Sequence, residues 1–404
     1  MKHIRVLMFG WEFPPHNSGG LGTACYGLSR SLSRSNVDIA FVLPKKLEGL
    51  DHDFLHILFA NIKNIKFRGE HALVHPYITE ELYEEYLRTA PKSELYGLNL
   101  FDEVRRYGLH ARVIAREEAH DLIHAHDWLS FRAGIEARRV SGKPLVVHVH
   151  ATEFDRTAGH PNQHIYDEER MGMHAADCVI TVSQHTKNIA VEHYGVPPEK
   201  IMVVHNGVDG AAYQRLLPPA LAHVKSEGKK IVLFVGRITI QKGPDYFIKT
   251  AKRVLEFDPN VLFVISGGGD MEQQIIRLAA EMGLSEHVVF AGFVRGDELV
   301  KLYRAADLFV MPSVSEPFGL TALESLASGT PILVSKQSGV SEVLTHALKS
   351  DFWDIDDMTD KIVNVLSSPG LKQTLGVLGA SDAERASWEK SAGKCVTIYK
   401  QLVS

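Results

Sequence analysis

Two glutamates eight positions apart, Glu316 and Glu324, stand in a stretch that would bring carboxylates to an anion-binding helix start. The apolar run Asp307-Leu-Phe-Val-Met311 reads as a short buried strand. A turn with Pro312, Pro317 and Gly319 follows, and then Leu320, Leu323, Leu326 and Ala327 recur at helical spacing. Gly329 and Pro331 stop that helix. Glu316 therefore falls in the strand-to-helix loop and Glu324 about a turn inside the helix. The first helical N–H groups, near Phe318 to Leu320, favour phosphate. A cationic pair, Arg237 and Lys242, flanks a second loop, after the strand Lys230-Ile-Val-Leu-Phe-Val235. Fixed cations stabilise a departing diphosphate, and carboxylates accept hydrogen bonds from hydroxyls. A nucleotide sugar is the ligand that suits this set.

The elements that must position these residues follow an α/β alternation. Ile4 to Phe9 reads as a strand, Gly10 to Gly22 as a glycine-rich loop, Thr23 to Arg34 as a helix and Val37 to Leu43 as a second strand, the opening of a doubly wound sheet. Gly19, Gly20 and Gly22 let backbone approach an anion closely. A dinucleotide fingerprint is the competing reading. Against it, Cys25 stands where the third glycine would, and Leu43-Pro44-Lys45 ends the second strand without an acid for a ribose. Glu80 to Leu87 and Phe101 to Glu118 look helical. Asp121 to His126, Pro144 to His150, Asp177 to Ser183 and Ile201 to Asp209 supply further strands, with His148 and His150 on one face by period-two alternation. The irregular segment from Gly210 to Lys230, with Pro218-Pro219, is the linker candidate. Beyond it the alternation restarts. Val261 to Ser266 leads into Gly267-Gly-Gly269, Val288 to Val294 is a strand, and Pro331 to Ser335 and Gly339-Val-Ser-Glu342 are expected to complete the second sheet.

Composition narrows the class. The chain has 404 residues, 45% hydrophobic and 23% charged, with a formal charge of −5, so it is globular and carries no footprint of nucleic-acid binding. Three cysteines without metal-like spacing read as reduced thiols in a cytoplasmic protein. No signal peptide is evident and no run approaches the ~20 apolar residues of a membrane span, so only peripheral membrane contact stays open. Asp51-His-Asp53 and Asp354-Ile-Asp356-Asp357 read as solvated charge. Ten of the 21 histidines fall between His110 and His185, which raises the question of metal. The pairs His120/His124 and His160/His164 have helical spacing but no shared helix to hold them, so no metal site and no cofactor are expected.

The run Ser313-x-Ser-Glu-Pro-Phe-Gly-Leu-x-x-Leu-Glu-Ser-Leu-Ala-x-Gly-x-Pro331, with Glu316 and Glu324 at E-x7-E spacing, closely resembles the retaining family-4 glycosyltransferases of the GT-B fold. Gly19-Gly-Leu-Gly22, His126-Asp-Trp128 and the R-x4-K of Arg237 and Lys242 resemble its glycogen- and starch-synthase-like members. The resemblance implies two Rossmann-like doubly wound domains facing across a cleft. Residues 1–209 would form an acceptor domain and 210–385 a nucleotide-sugar domain, with a helix at 386–404 crossing back to the first.

It also implies roles for particular residues. Arg237 and Lys242 take the diphosphate, Glu316 the sugar hydroxyls and Glu324 the ribose, while His150 shapes the sugar pocket. Gly19, Gly20, Gly22, Gly236, Gly268, Pro317, Phe318, Gly319 and Leu320 line the donor, and Phe293 and Val294 lie nearest its base. His126, Asp127, Trp128, Glu153 and Asp155 are candidates for the sugar or acceptor pocket. Trp128 could stack on a sugar or wedge helix against sheet. The implied reaction transfers a hexose, glucose by these motifs, to a glucan or other glycan without metal. The lysine that precedes the glycines in bacterial glycogen synthases is replaced by Asn17-Ser18, which keeps sucrose-type and lipid-linked acceptors open. A nucleotide-sugar epimerase of the same fold and a non-catalytic sensor are the readings from other classes.

Overall fold

The computed structural model describes residues 3–16, 19–46, 49–50, 52–60, 100–214, 225 and 227–404. The helix expected at Glu80–Leu87, the Asn17-Ser18 and Pro218-Pro219 pairs and Asp51 lie outside them. The chain forms two units: Met1–Phe154 with Gly159–Asn206 and Trp388–Ser404, and Asp155–Ala158 with Gly207–Ser387.

The first unit is a seven-stranded parallel sheet of β1 (Ile4–Phe9), β2 (Val37–Leu43), β3 (His56–Phe59), β4 (Leu122–His126), β5 (Leu145–Val149), β6 (Cys178–Thr181) and β7 (Ile201–Val203). The order across it is β3-β2-β1-β4-β5-β6-β7, the doubly wound pattern that reverses beside β1. Strand alternation gives its two faces different chemistry. Ile123 and Ala125 of β4 and Leu145, Val147 and Val149 of β5 join one apolar core with Trp128, Phe131 and Tyr107. Helix Trp128–Ser141 lies so close on that face that a Cβ at Gly134 would meet the Leu145 Cδ1 at 2.8 Å and the Ala125 Cβ at 2.9 Å. The opposite register positions, His124 and His126 on β4 and His148 on β5, are buried polar residues.

Helix Trp388–Val403 completes this unit by packing on helix Gly20–Ser33. The contact centres on Gly27, where a Cβ would lie 2.3 Å from the Trp388 Cε2. Gly27→Ala should therefore cost about 1–3 kcal/mol by overpacking. Urea unfolding would measure that loss, and Gly27→Ala combined with Trp388→Leu should recover most of it. An equally stable single variant would show that the two helices are not tightly apposed.

The second unit is a six-stranded parallel sheet of β8 (Lys230–Val235), β9 (Val261–Ser266), β10 (Val288–Gly292), β11 (Leu308–Met311), β12 (Ile332–Ser335) and β13 (Leu348–Ser350), ordered β10-β9-β8-β11-β12-β13. One expectation fails here. Gly339–Glu342 forms a single 3-10 turn, and β13 takes the edge position beside β12. The turn is held from outside itself, by Gly339 N–H to the Glu316 carbonyl (2.9 Å) and Val340 N–H to the Phe318 carbonyl (2.6 Å). A short helix, Gly210–Tyr213, interrupts the expected linker, and another, Glu153–Arg156, follows β5.

Candidate active site

In the second unit the loops after β8 and β11 are docked by backbone. Val314 N–H donates to the Gln241 carbonyl (2.9 Å), while Glu316 N–H is anchored on the next loop, after β12, by the Gln337 carbonyl (3.0 Å). That docking brings Lys242 and Glu316 together, 74 positions apart in sequence. Lys242 Nζ lies 2.5 Å from Glu316 Oε2, with the carboxylate side chain only 7% exposed. The Ser313 hydroxyl donates to the same oxygen at 3.2 Å. Arg237 sits at the other end of the loop, its Nη2 donating to Gln241 Oε1 at 2.8 Å. Gly243, next to Lys242, has φ 63° and comes so near Pro312 that a Cβ would lie 2.2 Å from its carbonyl oxygen. Only glycine tolerates both conditions.

The glycine turn after β9 has the same logic. Gly267, at φ 143°, would put a Cβ 1.8 Å from the Gly236 carbonyl oxygen, and Gly269 one 2.3 Å from that of Ile238. Gly268 accepts the Ile238 N–H at 3.0 Å, which ties it to the loop of Arg237. Pro317, Phe318 and Gly319 lead into helix Leu320–Ala327, with Gly319 as its N-cap at φ 112°. Thus Arg237, Lys242, Glu316 and the start of that helix are assembled at the carboxyl edge of adjacent strands β8 and β11.

Glu324 is buried on the same helix. Its Oε2 accepts from the Tyr303 hydroxyl at 2.9 Å, and Tyr213 also hydrogen-bonds it. Burial raises the Glu324 carboxyl above the ordinary range, while the two hydroxyls pull it back. Both tyrosines are themselves pushed well above the usual phenol range, by burial first and by the Glu324 charge next. Phe293 and Val294 line a groove of about 380 Å³ with Val264, Val289, Ala291 and Leu302, and the Arg295 guanidinium lies 4.5 Å from the Phe293 ring centre. Asp155, which clusters with this unit, accepts from the Ser315 hydroxyl at 2.5 Å.

In the first unit Gly20 opens helix Gly20–Ser33 with Gly19 as its N-cap. The N–H of Gly22 is already given to the buried Glu12 carboxylate at 2.9 Å, so an arriving phosphate would meet that carboxylate at the helix start. Asp127, at φ 57°, accepts the His150 N–H at 2.6 Å and so fixes the backbone after β5. The His150 ring lies 2.9 Å from the His126 Nδ1 and stacks on His148 with centroids 4.2 Å apart. Burial lowers the His150 imidazole to about 3, which leaves it neutral. Trp128 is buried, with its ring tilted against that of Phe101 at a centroid distance of 5.7 Å. Glu153 is buried, its N–H donating to Glu169 Oε2 at 3.0 Å. Of the acidic runs, Asp354 caps helix Ile355–Ser367 by accepting the Asp357 N–H.

Several contributors escaped sequence reasoning. Ser313 and Gln241 lie inside the motifs but carry no chemistry of their own to mark them. Tyr213 and Tyr303 are joined to Glu324, and Glu12 to the start of helix Gly20–Ser33, only by the fold.

Two parallel α/β sheets of Rossmann type, one bearing a lysine–glutamate pair on loops at its carboxyl edge, define the class as a GT-B enzyme. The Glycosyltransferase Family 4 model matches residues 18–211, and the Glycosyl transferases group 1 model matches residues 222–377. A D-inositol 3-phosphate glycosyltransferase of Kribbella flavida is 31% identical over 317 residues, covering 72% of this chain and 74% of that protein. Glycogen synthase of Mycobacterium tuberculosis is 27% identical over 92% of this chain and 88% of its own length. Sucrose-phosphate synthase of Thermosynechococcus elongatus shares the fold with a TM-score of 0.77 at 20% identity, covering 99% of both chains. The chain belongs to the family-4 glycosyltransferases. Among the described residues no helix is long and apolar enough to cross a membrane.

Proposed function

We propose that the chain is a retaining hexosyltransferase that moves a hexose, glucose in the first instance, from a nucleoside diphosphate sugar to a glucan or other glycan. The observation that carries this reading is the Lys242–Glu316 contact, held on two loops that dock by backbone. An arriving diphosphate competes with Glu316 for Lys242. As the lysine turns to phosphate, Glu316 is released to accept from the sugar hydroxyls. Arg237 and Lys242 then neutralise the charge that develops on the departing nucleotide, the task a divalent ion performs elsewhere, so no metal is assigned to the donor. Glu324 takes the ribose, the groove at Phe293 and Val294 the base, and the neutral His150 ring the sugar. The three cysteines are free and buried, which suits a reducing compartment, and we place the reaction in the cytoplasm.

Incubation with UDP-glucose, ADP-glucose or GDP-mannose in EDTA, with and without glucan, tests this by nucleotide release. Release that depends on acceptor is expected, with the anomeric configuration of the product read by NMR. Sucrose-type, lipid-linked and inositol phosphate acceptors complete the panel. A strict requirement for Mg²⁺ would overturn the metal-free part. Free epimerised sugar formed without acceptor would assign a nucleotide-sugar epimerase instead.

A further inference from the structure

The face of the first sheet opposite its apolar core carries four stacked imidazoles. β4 and β5 are parallel, with His126 directly opposite His148. Centroid separations are 4.3 Å for His124–His126 and 5.4 Å for both His124–His148 and His126–His148. All three rings are at most 1% exposed. A buried ring nitrogen without a partner forfeits its solvation with nothing in return, so such a group calls for an explanation. Here the Nε2 atoms of His124 and His126 and both ring nitrogens of His148 have no hydrogen-bond partner among the described residues.

We infer that His124, His126 and His148 bind a divalent transition-metal ion, Zn²⁺ in the first instance, in the first unit, with a solvent molecule as the fourth ligand. One ligand atom from each of the three already lies within 4.8 Å of the others. Three Zn–N bonds at tetrahedral angles need nitrogens about 3.3 Å apart, a contraction that rotation of the rings can supply. The far sides of two rings are also dressed as ligands are. His124 Nδ1 is 2.7 Å from the Tyr399 hydroxyl oxygen, and His126 Nδ1 is 2.9 Å from His150 Nε2. A proton on each Nδ1, donated outward, leaves the Nε2 lone pair free for the metal, and such outer partners fix tautomer and ring orientation. Tyr399 comes from helix Trp388–Val403, so the ion would tie that helix to β4. None of the three histidines is among the residues proposed to hold the diphosphate, and the test does not depend on transfer activity.

The full chain, purified without chelator, loaded with Zn²⁺ or Co²⁺ and passed through gel filtration, should retain about one ion per chain by mass spectrometry. It should melt several degrees higher than chain stripped with a strong chelator. The Co²⁺ form should show the intense visible bands of a tetrahedral site without a thiolate charge-transfer band. His148→Gln, checked for folding by circular dichroism, should retain less than about 0.1 ion per chain, and His160→Gln should retain the full complement. The cobalt spectrum is read on the unaltered protein, so it decides the matter even where a variant misfolds. Retention below about 0.1 ion by the unaltered chain overturns the site. A thiolate band overturns the three-histidine assignment in favour of Cys25 with His126 and His150, whose ligand atoms also lie within 4.8 Å of one another.

Discussion

Lys242→Ala should lower kcat by about 10²–10³-fold, the loss of roughly 3–4 kcal/mol that removing one preorganised charge-stabilising contact produces. The ammonium meets Glu316 at 2.5 Å in the free protein; on the proposed reading it turns to the diphosphate in the reacting one, so its removal should act mainly on the transition state. Folding should suffer much less. Glu316 keeps the Ser313 hydroxyl, and the lysine side chain is 20% exposed, so water reaches the vacated position. The Lys242→Ala, Glu316→Gln double variant separates the two effects. It removes the unpaired carboxylate and should restore melting temperature while leaving turnover low. Nucleotide release and thermal melting on the three proteins check this. Unchanged turnover in Lys242→Ala would remove the lysine from the site.

Glu324→Gln should move stability and donor affinity in opposite directions. Burial raises the Glu324 carboxyl in the folded chain above its unfolded value. A carboxyl shifted this way favours the folded state below the unfolded pKa, and that contribution is lost as pH rises through the folded pKa. The charged form is therefore a burden at neutral pH. A neutral amide should melt higher than the natural residue at about pH 8, and the difference should vanish near about pH 4. Donor binding loses a charged acceptor for the ribose hydroxyls, worth about 1.5–3 kcal/mol, so KM should rise about 10–100-fold. Melting curves at both pH values and donor saturation curves check both signs. A rise in stability with unchanged KM would leave Glu324 as a buried strut between two tyrosines and take it out of the ribose site.

Much of this was legible because the chemistry lies where local signals are strongest. Buried parallel strands such as Val261–Ser266 are short apolar runs punctuated by glycine and proline, and ligand loops follow their carboxyl ends. Glu316, Arg237 and Lys242 could be placed on loops from that punctuation alone. What stayed hidden depends on contacts far apart in the chain. The strand expected at Gly339–Glu342 rests on Val340 alone, and the segment is drawn into a turn by the carbonyls of Glu316 and Phe318. β13 is three residues long, too short for any period to show. Tyr213 and Tyr303 meet Glu324 across 111 and 21 positions of sequence. The histidine cluster was missed because H-x3-H spacing asks whether a helix can hold a metal. The stacking of these rings depends instead on period two along one strand and on the register of its neighbour.

Helix Trp388–Val403 has a consequence for how the chain is made. A ribosome must finish the whole second unit before it emits the segment that covers Gly27 and reaches His124. Domains ordinarily fold one after another during synthesis. Here the earlier one waits with an apolar surface uncovered while some 180 residues of the later one emerge. Nascent chains halted before Trp388 should accordingly be chaperone clients, and those released after Val403 should not.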